Sequence, residues 1–251
     1  MGERSAIGWT DATWNPWYGC DRVSPGCAHC YADRDMSRYG RDFSVVTRSK
    51  TKFNQPLGVK QRRLAAERIA ERGRFLCFTC SWSDWFHPDA DQWRDEAWAI
   101  VKACPEQTFQ ILTKRPERIA DHLPDDWGEG YPNVWLGTSI ENRRFVGRGD
   151  ILRDTPAAVR FISAEPLLGP LLHDQVYDDL GTSFDDGKAM PGLDLSGIDW
   201  LIVGGESGPG HRPIDADWVR ALRDEATKTE TAFFMKQWGG PRPDSGGREL
   251  D

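Results

Sequence analysis

The chain has 251 residues, of which 39% are hydrophobic and 28% are charged, so it can build one large domain or two small ones around a sizeable core. Its 39 acidic and 32 basic residues give a net charge of −7, which argues against a generally basic surface for nucleic acids or membranes. The apolar runs are too short to span a bilayer, and no apolar stretch follows the N-terminus. The sequence therefore predicts a cytoplasmic protein with no membrane partner.

Short runs rich in β-branched and aromatic residues alternate along the chain with helical patterns, as is typical of parallel α/β folds. A weak candidate strand at 12–18 comes first, and the stronger ones lie at 74–80, 108–113, 133–138, 159–163, 199–203 and 231–235. The candidate helices lie at 28–39, 59–72, 89–104, 115–122, 142–153 and 216–229. Six or seven such units predict a partial or full (β/α) barrel of parallel strands, with an open doubly wound sheet as the alternative.

These units predict a single barrel domain over residues 1–251. Residues 173–198 hold many Asp and Gly residues, which indicates a loop insertion within that domain. Residues 238–251 are rich in Gly, Pro and charge, which indicates an irregular tail.

Charged or hydrogen-bonding residues follow each of the six stronger candidate strands. In chain order they include Ser81, Ser83, Asp84, Lys114, Ser139, Glu141, Ser163, Glu165, Gly204, Gly205, Glu206 and Lys236. Because the carboxyl ends of parallel strands meet at one face, we expect these residues to line an active site there. The glycines let backbone N–H groups approach a ligand, although their spacing fits neither a Walker nor a Rossmann loop.

Three of the six cysteines, Cys20, Cys27 and Cys30, lie within eleven residues directly after the first candidate strand. Their C-x6-C-x2-C spacing in a long cytosolic chain points to metal or redox chemistry rather than to disulfides. Three thiolate ligands leave one coordination position of a metal centre open. On a four-iron cluster, that leaves one iron free to bind a small molecule. On zinc, it gives a catalytic site, or a structural site completed by a distant ligand such as His29 or His87.

A three-cysteine loop after the first strand of a (β/α) barrel resembles the radical S-adenosylmethionine superfamily. The usual spacing is C-x3-C-x2-C, so the first interval is three residues longer here. Nearly the whole chain also resembles an uncharacterised, radical-SAM-like family common in phage and prophage genomes. The motifs that carry this resemblance are Thr13-Trp-Asn-Pro, Thr113-Lys-Arg-Pro, Ser163-Ala-Glu-Pro-Leu-Leu, Gly204-Gly-Glu-Ser-Gly and Lys236-Gln-Trp-Gly-Gly. Members of that family continue a little past Arg-Glu-Leu-Asp, which implies that this chain is slightly shortened.

The resemblance implies a radical-SAM-like enzyme whose three cysteines hold a [4Fe-4S] cluster. The cluster takes an electron from a donor such as flavodoxin or ferredoxin and cleaves S-adenosylmethionine reductively. The resulting 5′-deoxyadenosyl radical abstracts hydrogen from the substrate. The phage context favours a nucleotide or a DNA base as that substrate, in modification or repair of nucleic acid.

Position assigns the remaining roles. Ser81, Ser83 and Asp84 are candidates for the amino group of S-adenosylmethionine, and Ser139, Glu141, Ser163 and Glu165 for its ribose and sulfonium end. Gly204 and Gly205 are further candidates for cofactor binding. The candidate catalytic residues are Lys114, Glu165, Glu206, Lys236 and Cys80, the last as a hydrogen-atom donor to a product radical. The alternatives are a zinc-dependent hydrolase or structural zinc protein on the same three cysteines, and a non-enzymatic binding module.

Overall fold

A computed structural model of the chain describes residues 5–172, 191–242 and 246–251. In chain order its strands and helices are β1 (Ala12–Trp14), β2 (Trp17–Tyr18), α1 (Tyr31–Arg38), β3 (Thr47–Arg48), α2 (Val59–Arg72), β4 (Leu76–Thr79), α3 (Asp91–Lys102), β5 (Thr108–Thr113), β6 (Val134–Ser139), α4 (Gly147–Arg153), β7 (Val159–Ala164), β8 (Trp200–Gly204), α5 (Ala216–Lys228) and β9 (Ala232–Gln237). From α2 onward, an α-helix lies between β4 and β5, between β6 and β7, and between β8 and β9, which confirms the predicted α/β class.

Seven strands form one sheet in the order β1-β4-β5-β6-β7-β8-β9, while β2 and β3 pair antiparallel on their own. The pairings of β1 with β4 and of β4 with β5 are parallel, as are those of β7 with β8 and of β8 with β9. This sheet is consistent with a partial (β/α) barrel. Since β1 and β9 stand at its two edges, the full barrel is not formed in the described part of the chain.

Two predicted elements need correction. The first candidate strand, 12–18, is interrupted at Pro16 and becomes β1 and β2. The helix predicted at 115–122 is wrong, because this segment forms two separate 3₁₀ turns, Pro116–Arg118 and Ala120–His122. The His122 side chain forms a hydrogen bond from Nδ1 to the Arg118 carbonyl oxygen at 2.8 Å. The His122 backbone amide donates to the Ile119 carbonyl, three residues earlier in the chain. So short a segment gains little from a regular α-helix, so these local bonds prevail.

The chain divides into two compact units. The first comprises Met1–Val23, Cys30–Gly137 and Thr155–Val159, and the second comprises Ser24–His29, Thr138–Asp154 and Arg160–Asp251. Cys20 and Cys30 therefore belong to the first unit, whereas Cys27 belongs to the second.

Tryptophans dominate the core of the first unit. Trp14, Trp17 and Trp85 are fully buried, and the ring of Trp85 lies 5.7 Å from that of Trp14 and 5.2 Å from that of Trp17. Two of the three indole N–H groups have carbonyl acceptors: Trp14 donates to the Phe53 carbonyl and Trp17 to the Asp84 carbonyl, both at 3.0 Å. The buried Trp85 Nε1 has no hydrogen-bond acceptor among the residues that the structure describes. These three rings pack the core and offer no exposed face on which a substrate could stack.

In the second unit, the sheet residues Phe161, Leu201, Ile202 and Val203 are fully buried. Helix α5 begins at Ala216, and the side chain of its N-cap residue Asp215 accepts a hydrogen bond from the Asp217 amide at 2.8 Å. Much of the predicted insertion, residues 173–190, lies outside the described residues. No helix in the described ranges is long and apolar enough to cross a membrane.

Candidate functional site

Cys20 lies beside a buried positive charge in the first unit. Arg115, which follows β5, donates from Nη1 to the Cys20 sulfur at 3.5 Å, and the same atom lies 3.2 Å from Asp84 Oδ2. The Arg115 side chain is only 6% exposed. Burial works to lower the pKa of Arg115, but Asp84 and then Cys20 outweigh it and raise this pKa above its usual value. A fixed guanidinium of this kind stabilises a neighbouring thiolate.

Asp84 fixes the position of Arg115. Its carboxylate accepts hydrogen bonds from the Thr113 hydroxyl at 2.7 Å and from the backbone amides of Lys114 and Phe86 at 2.9 Å each. With the Arg115 contact, both oxygens are engaged by groups of the protein. The role predicted for Asp84 at the amino group of S-adenosylmethionine stays a prediction.

The loops after β1 and β4 are tied together by polar side chains. Asn15 donates to the Ser81 hydroxyl at 3.0 Å and accepts from the Trp82 amide at 2.9 Å. The Ser83 hydroxyl donates to the Gly19 carbonyl at 2.5 Å. Ser81 and Ser83, predicted cofactor ligands, therefore also anchor the loop that leads into Cys20.

Cys80 directly follows β4 and has a left-handed backbone conformation, with φ of 55°, which is uncommon for a residue that carries a side chain. Its amide donates to the Trp14 carbonyl at 2.8 Å, and burial raises the pKa of its thiol well above the usual value. A neutral, buried S–H group is compatible with the predicted hydrogen-atom donor, which stays a prediction.

Cys30 and Cys20 pack against the same small apolar cluster of the first unit, formed by Ala32, Met36 and Phe43. Cys30 is the N-cap residue of α1, so this helix begins directly at the last cysteine of the motif. A pocket of about 320 Å³ opens beside Cys20 and Phe43, which gives solvent a route to the first thiol.

The segment that carries Cys27 is held by Glu141 within the second unit. The Ser24 hydroxyl donates to Glu141 Oε1 at 2.6 Å, and its oxygen lies 3.7 Å from the Cys27 sulfur. Glu141 is fully buried, and its second oxygen accepts from Arg148 Nη1 at 3.2 Å. The same Arg148 nitrogen donates to the Ser139 carbonyl at 2.9 Å.

Glu206 holds the other end of this segment. Its Oε2 lies 2.9 Å from His29 Nδ1 and accepts from both the amide and Nε of Arg212 at 2.9 Å. Arg212 Nη2 contacts the second Glu206 oxygen and donates to the Pro25 carbonyl at 3.1 Å. Burial works to raise the pKa of Glu206, but the hydrogen bonds from Arg212 and His29 outweigh it and lower this pKa to about 2.

Lys236 and Glu165 form an ion pair at the carboxyl ends of β9 and β7. Both side chains are about one-fifth exposed, and a Cβ added at Gly204 would stand 3.5 Å from each of them. The neighbouring Gly205 is required for packing, since a Cβ there would lie 2.1 Å from the Trp238 carbonyl oxygen. Its N–H donates to the Gln237 carbonyl at 2.9 Å.

Two other predicted residues lie close by in the same unit. Ser163 and Ser139 are both buried, and the Ser163 carbonyl accepts from the Ile140 amide at 3.0 Å. In the first unit, the Lys114 side chain is partly buried.

The described side chains do not form a preassembled metal site. In the described ranges, no three His, Cys, Asp or Glu side chains surround a common point that could hold an ion. None of the six cysteines forms a disulfide, and those of the motif are partly exposed, while Cys77, Cys80 and Cys104 are buried.

Comparison with sequence profiles of protein families shows the family of this chain. The sequence profile described as "Protein of unknown function (DUF5131)" matches residues 4–251. The chain belongs to the DUF5131 family. No radical SAM family profile matches it, so the predicted membership of the radical S-adenosylmethionine superfamily is wrong. No curated protein and no solved structure shows significant similarity to the chain.

Three arginines of this DUF5131 chain belong to the site: Arg115, Arg148 and Arg212. The sequence patterns did not assign Arg148 or Arg212 to it. Each of the three is bound to a carboxylate that was predicted as a site residue: Asp84, Glu141 or Glu206. A useful signal was available, because a buried carboxylate requires a cationic or hydrogen-bonding partner, and the sequence places each arginine within a few tens of residues of its acid.

Proposed function

We propose that this DUF5131 protein is a metal-cluster enzyme in which Cys20, Cys27 and Cys30 hold a [4Fe-4S] cluster and the remaining iron binds S-adenosylmethionine. When bound, such a cluster supplies an electron from flavodoxin or ferredoxin to cleave S-adenosylmethionine reductively, which leads to hydrogen abstraction from a nucleotide or nucleic-acid base. One observation carries this proposal: the three clustered cysteines form no disulfide and are partly exposed, while the other three are buried.

The chemistry of these donors fits an iron–sulfur cluster, which takes thiolate ligands and leaves an open iron when only three are supplied. Their C-x6-C-x2-C spacing puts all three on one short loop. In support, Arg115 donates to the Cys20 sulfur at 3.5 Å, and hydrogen bonds to ligand sulfurs are a means by which proteins adjust cluster potentials.

Each of the two units offers its own groups for binding a substrate. The Lys236 ammonium group, held by Glu165, offers a partly buried cation for a phosphate or carboxylate. In the first unit, the Tyr39 ring is 73% exposed and lies 6.4 Å from the Trp82 ring, with the planes only 31° apart. The Arg41 guanidinium lies 5.8 Å from the neighbouring Tyr18 ring. Exposed aromatic faces beside arginine favour a stacked base.

A zinc site on the same cysteines is less well supported. His87, the best-placed fourth ligand, accepts a hydrogen bond at Nδ1 from the Asp89 amide at 3.2 Å. Its proton therefore resides on Nε2, which donates to Asp21 at 3.0 Å. With both ring nitrogens engaged, His87 would have to break one of these bonds to coordinate zinc.

Metal analysis of anaerobically purified protein tests the proposal. We expect about four irons and four sulfides per chain and a reduced electron paramagnetic resonance spectrum that changes when S-adenosylmethionine is added. Cys20→Ala, Cys27→Ala and Cys30→Ala should each lose the cluster, while the control Cys104→Ala, outside the motif, should keep it. About one zinc and no iron after anaerobic reconstitution would refute the proposal.

A further inference from the structure

The buried carboxylates of Glu141 and Glu206 form hydrogen bonds with the two ends of the Ser24–His29 segment. Glu141 holds its first residue through the 2.6 Å bond from the Ser24 hydroxyl. Glu206 holds its last residue through the 2.9 Å contact with His29 Nδ1. Neither carboxylate is accessible from solvent, since Glu141 is fully buried and the Glu206 side chain is 5% exposed.

The middle of the segment is fixed as well. Arg212 links it to Glu206, because Nη2 donates to the Pro25 carbonyl at 3.1 Å while the same side chain pairs with the carboxylate. Gly26 packs directly on Glu141: a Cβ at this position would lie 2.6 Å from both Cγ and Oε1 of the glutamate. Since Glu141 is also held by Arg148, it cannot move aside freely.

We propose that Glu141 and Glu206 are positioning residues that fix the Ser24–His29 segment and, through it, the Cys27 thiol. Both were predicted from sequence to touch a cofactor or substrate, yet each already has partners that orient the cysteine loop. This inference rests on the proposed function only in making Cys27 a cluster ligand. The positioning itself depends on contacts within the second unit.

Thiol labelling of the metal-free protein tests the positioning. Native protein is alkylated with iodoacetamide for increasing times, and the peptides that contain Cys27 and Cys20 are quantified by mass spectrometry. Ser24→Ala removes a bond to a buried carboxylate, so the Cys27 rate should rise at least about fivefold. The Cys20 rate should stay unchanged. His29→Ala should raise the Cys27 rate in the same way.

Further variants separate positioning from general loss of structure. Ser24→Thr retains the hydroxyl and should restore the wild-type Cys27 rate, while the matched control Ser196→Ala, at an exposed serine of the same unit, should leave that rate unchanged. Gly26→Ala should accelerate Cys27 labelling because of the clash. Its effect should shrink in the Glu141→Ala background, where the clashing atoms are absent.

The outcomes keep the two proposals distinct. Wild-type labelling rates for Cys27 in Ser24→Ala, His29→Ala and Gly26→Ala would overturn the positioning role, whatever the metal content. Accelerated labelling that Ser24→Thr reverses would support it, even in a chain that takes up no iron and so fails the proposed function. Where iron is bound, the accelerated variants should also hold less iron per chain than wild type after reconstitution under limiting iron.

Discussion

Removal of the Asp84 carboxylate should lower the free energy of unfolding, because it leaves the buried Arg115 charge unpaired inside the first unit. Asp84→Ala deletes the acceptor for Thr113, for two backbone amides and for the Arg115 guanidinium, whose side chain is 6% exposed. Loss of one partner of a buried ion pair typically costs about 3 to 5 kcal/mol, because the other charge stays buried without compensation. In a chain of 251 residues this corresponds to a fall in Tm of roughly 6 to 20 °C.

Urea unfolding followed by tryptophan fluorescence measures this cost. The control Asp35→Ala removes a partly exposed carboxylate paired with the exposed Arg38 and should change the free energy of unfolding by less than about 1 kcal/mol. The double variant Asp84→Ala/Arg115→Met removes both charges and should be more stable than Asp84→Ala alone. A cost below about 1 kcal/mol for Asp84→Ala would refute the claim that Asp84 compensates Arg115.

Glu206 should make stability depend on acid pH. Since folding lowers its pKa from 4.5 to about 2, its contribution is complete above pH 4.5 and is lost as pH falls toward 2. Glu206→Gln should therefore flatten the rise in unfolding free energy between pH 3 and 5, and an unchanged slope would contradict this. In metal-free native protein, three of the six thiols should react rapidly with Ellman's reagent, and six fast thiols would contradict the burial of the others. Lys236→Ala should keep the iron and lower 5′-deoxyadenosine formation about tenfold through loss of a charged contact, whereas loss of iron would show a structural role.

Local sequence patterns predicted most of the fold. The strand predicted at 108–113 matches β5 and the helix predicted at 59–72 matches α2, because a continuous apolar run and an Ala-, Arg- and Glu-rich segment each determine backbone conformation locally. The failure at 115–122 has the opposite cause. There, the His122 side chain competes with the backbone for the Arg118 carbonyl, and a segment of two turns is too short to resist it.

Resemblance was a weaker guide than the residues themselves. The three-cysteine spacing remains a property of the chain, whereas the superfamily inferred from it is not matched. A short motif carries the chemistry of its donors, but many folds and families can present the same donors.

The sequence by itself determined the parallel α/β architecture, the clustering of Cys20, Cys27 and Cys30, and the polar residues at the strand ends. The tertiary structure alone decided which of those polar residues meet. Arg115 reaches Cys20 across 95 residues, Ser24 reaches Glu141 across 117, and His29 reaches Glu206 across 177. Such contacts depend on strand order and loop path, which no local pattern specifies, and a buried carboxylate accepts whichever donor the fold brings to it.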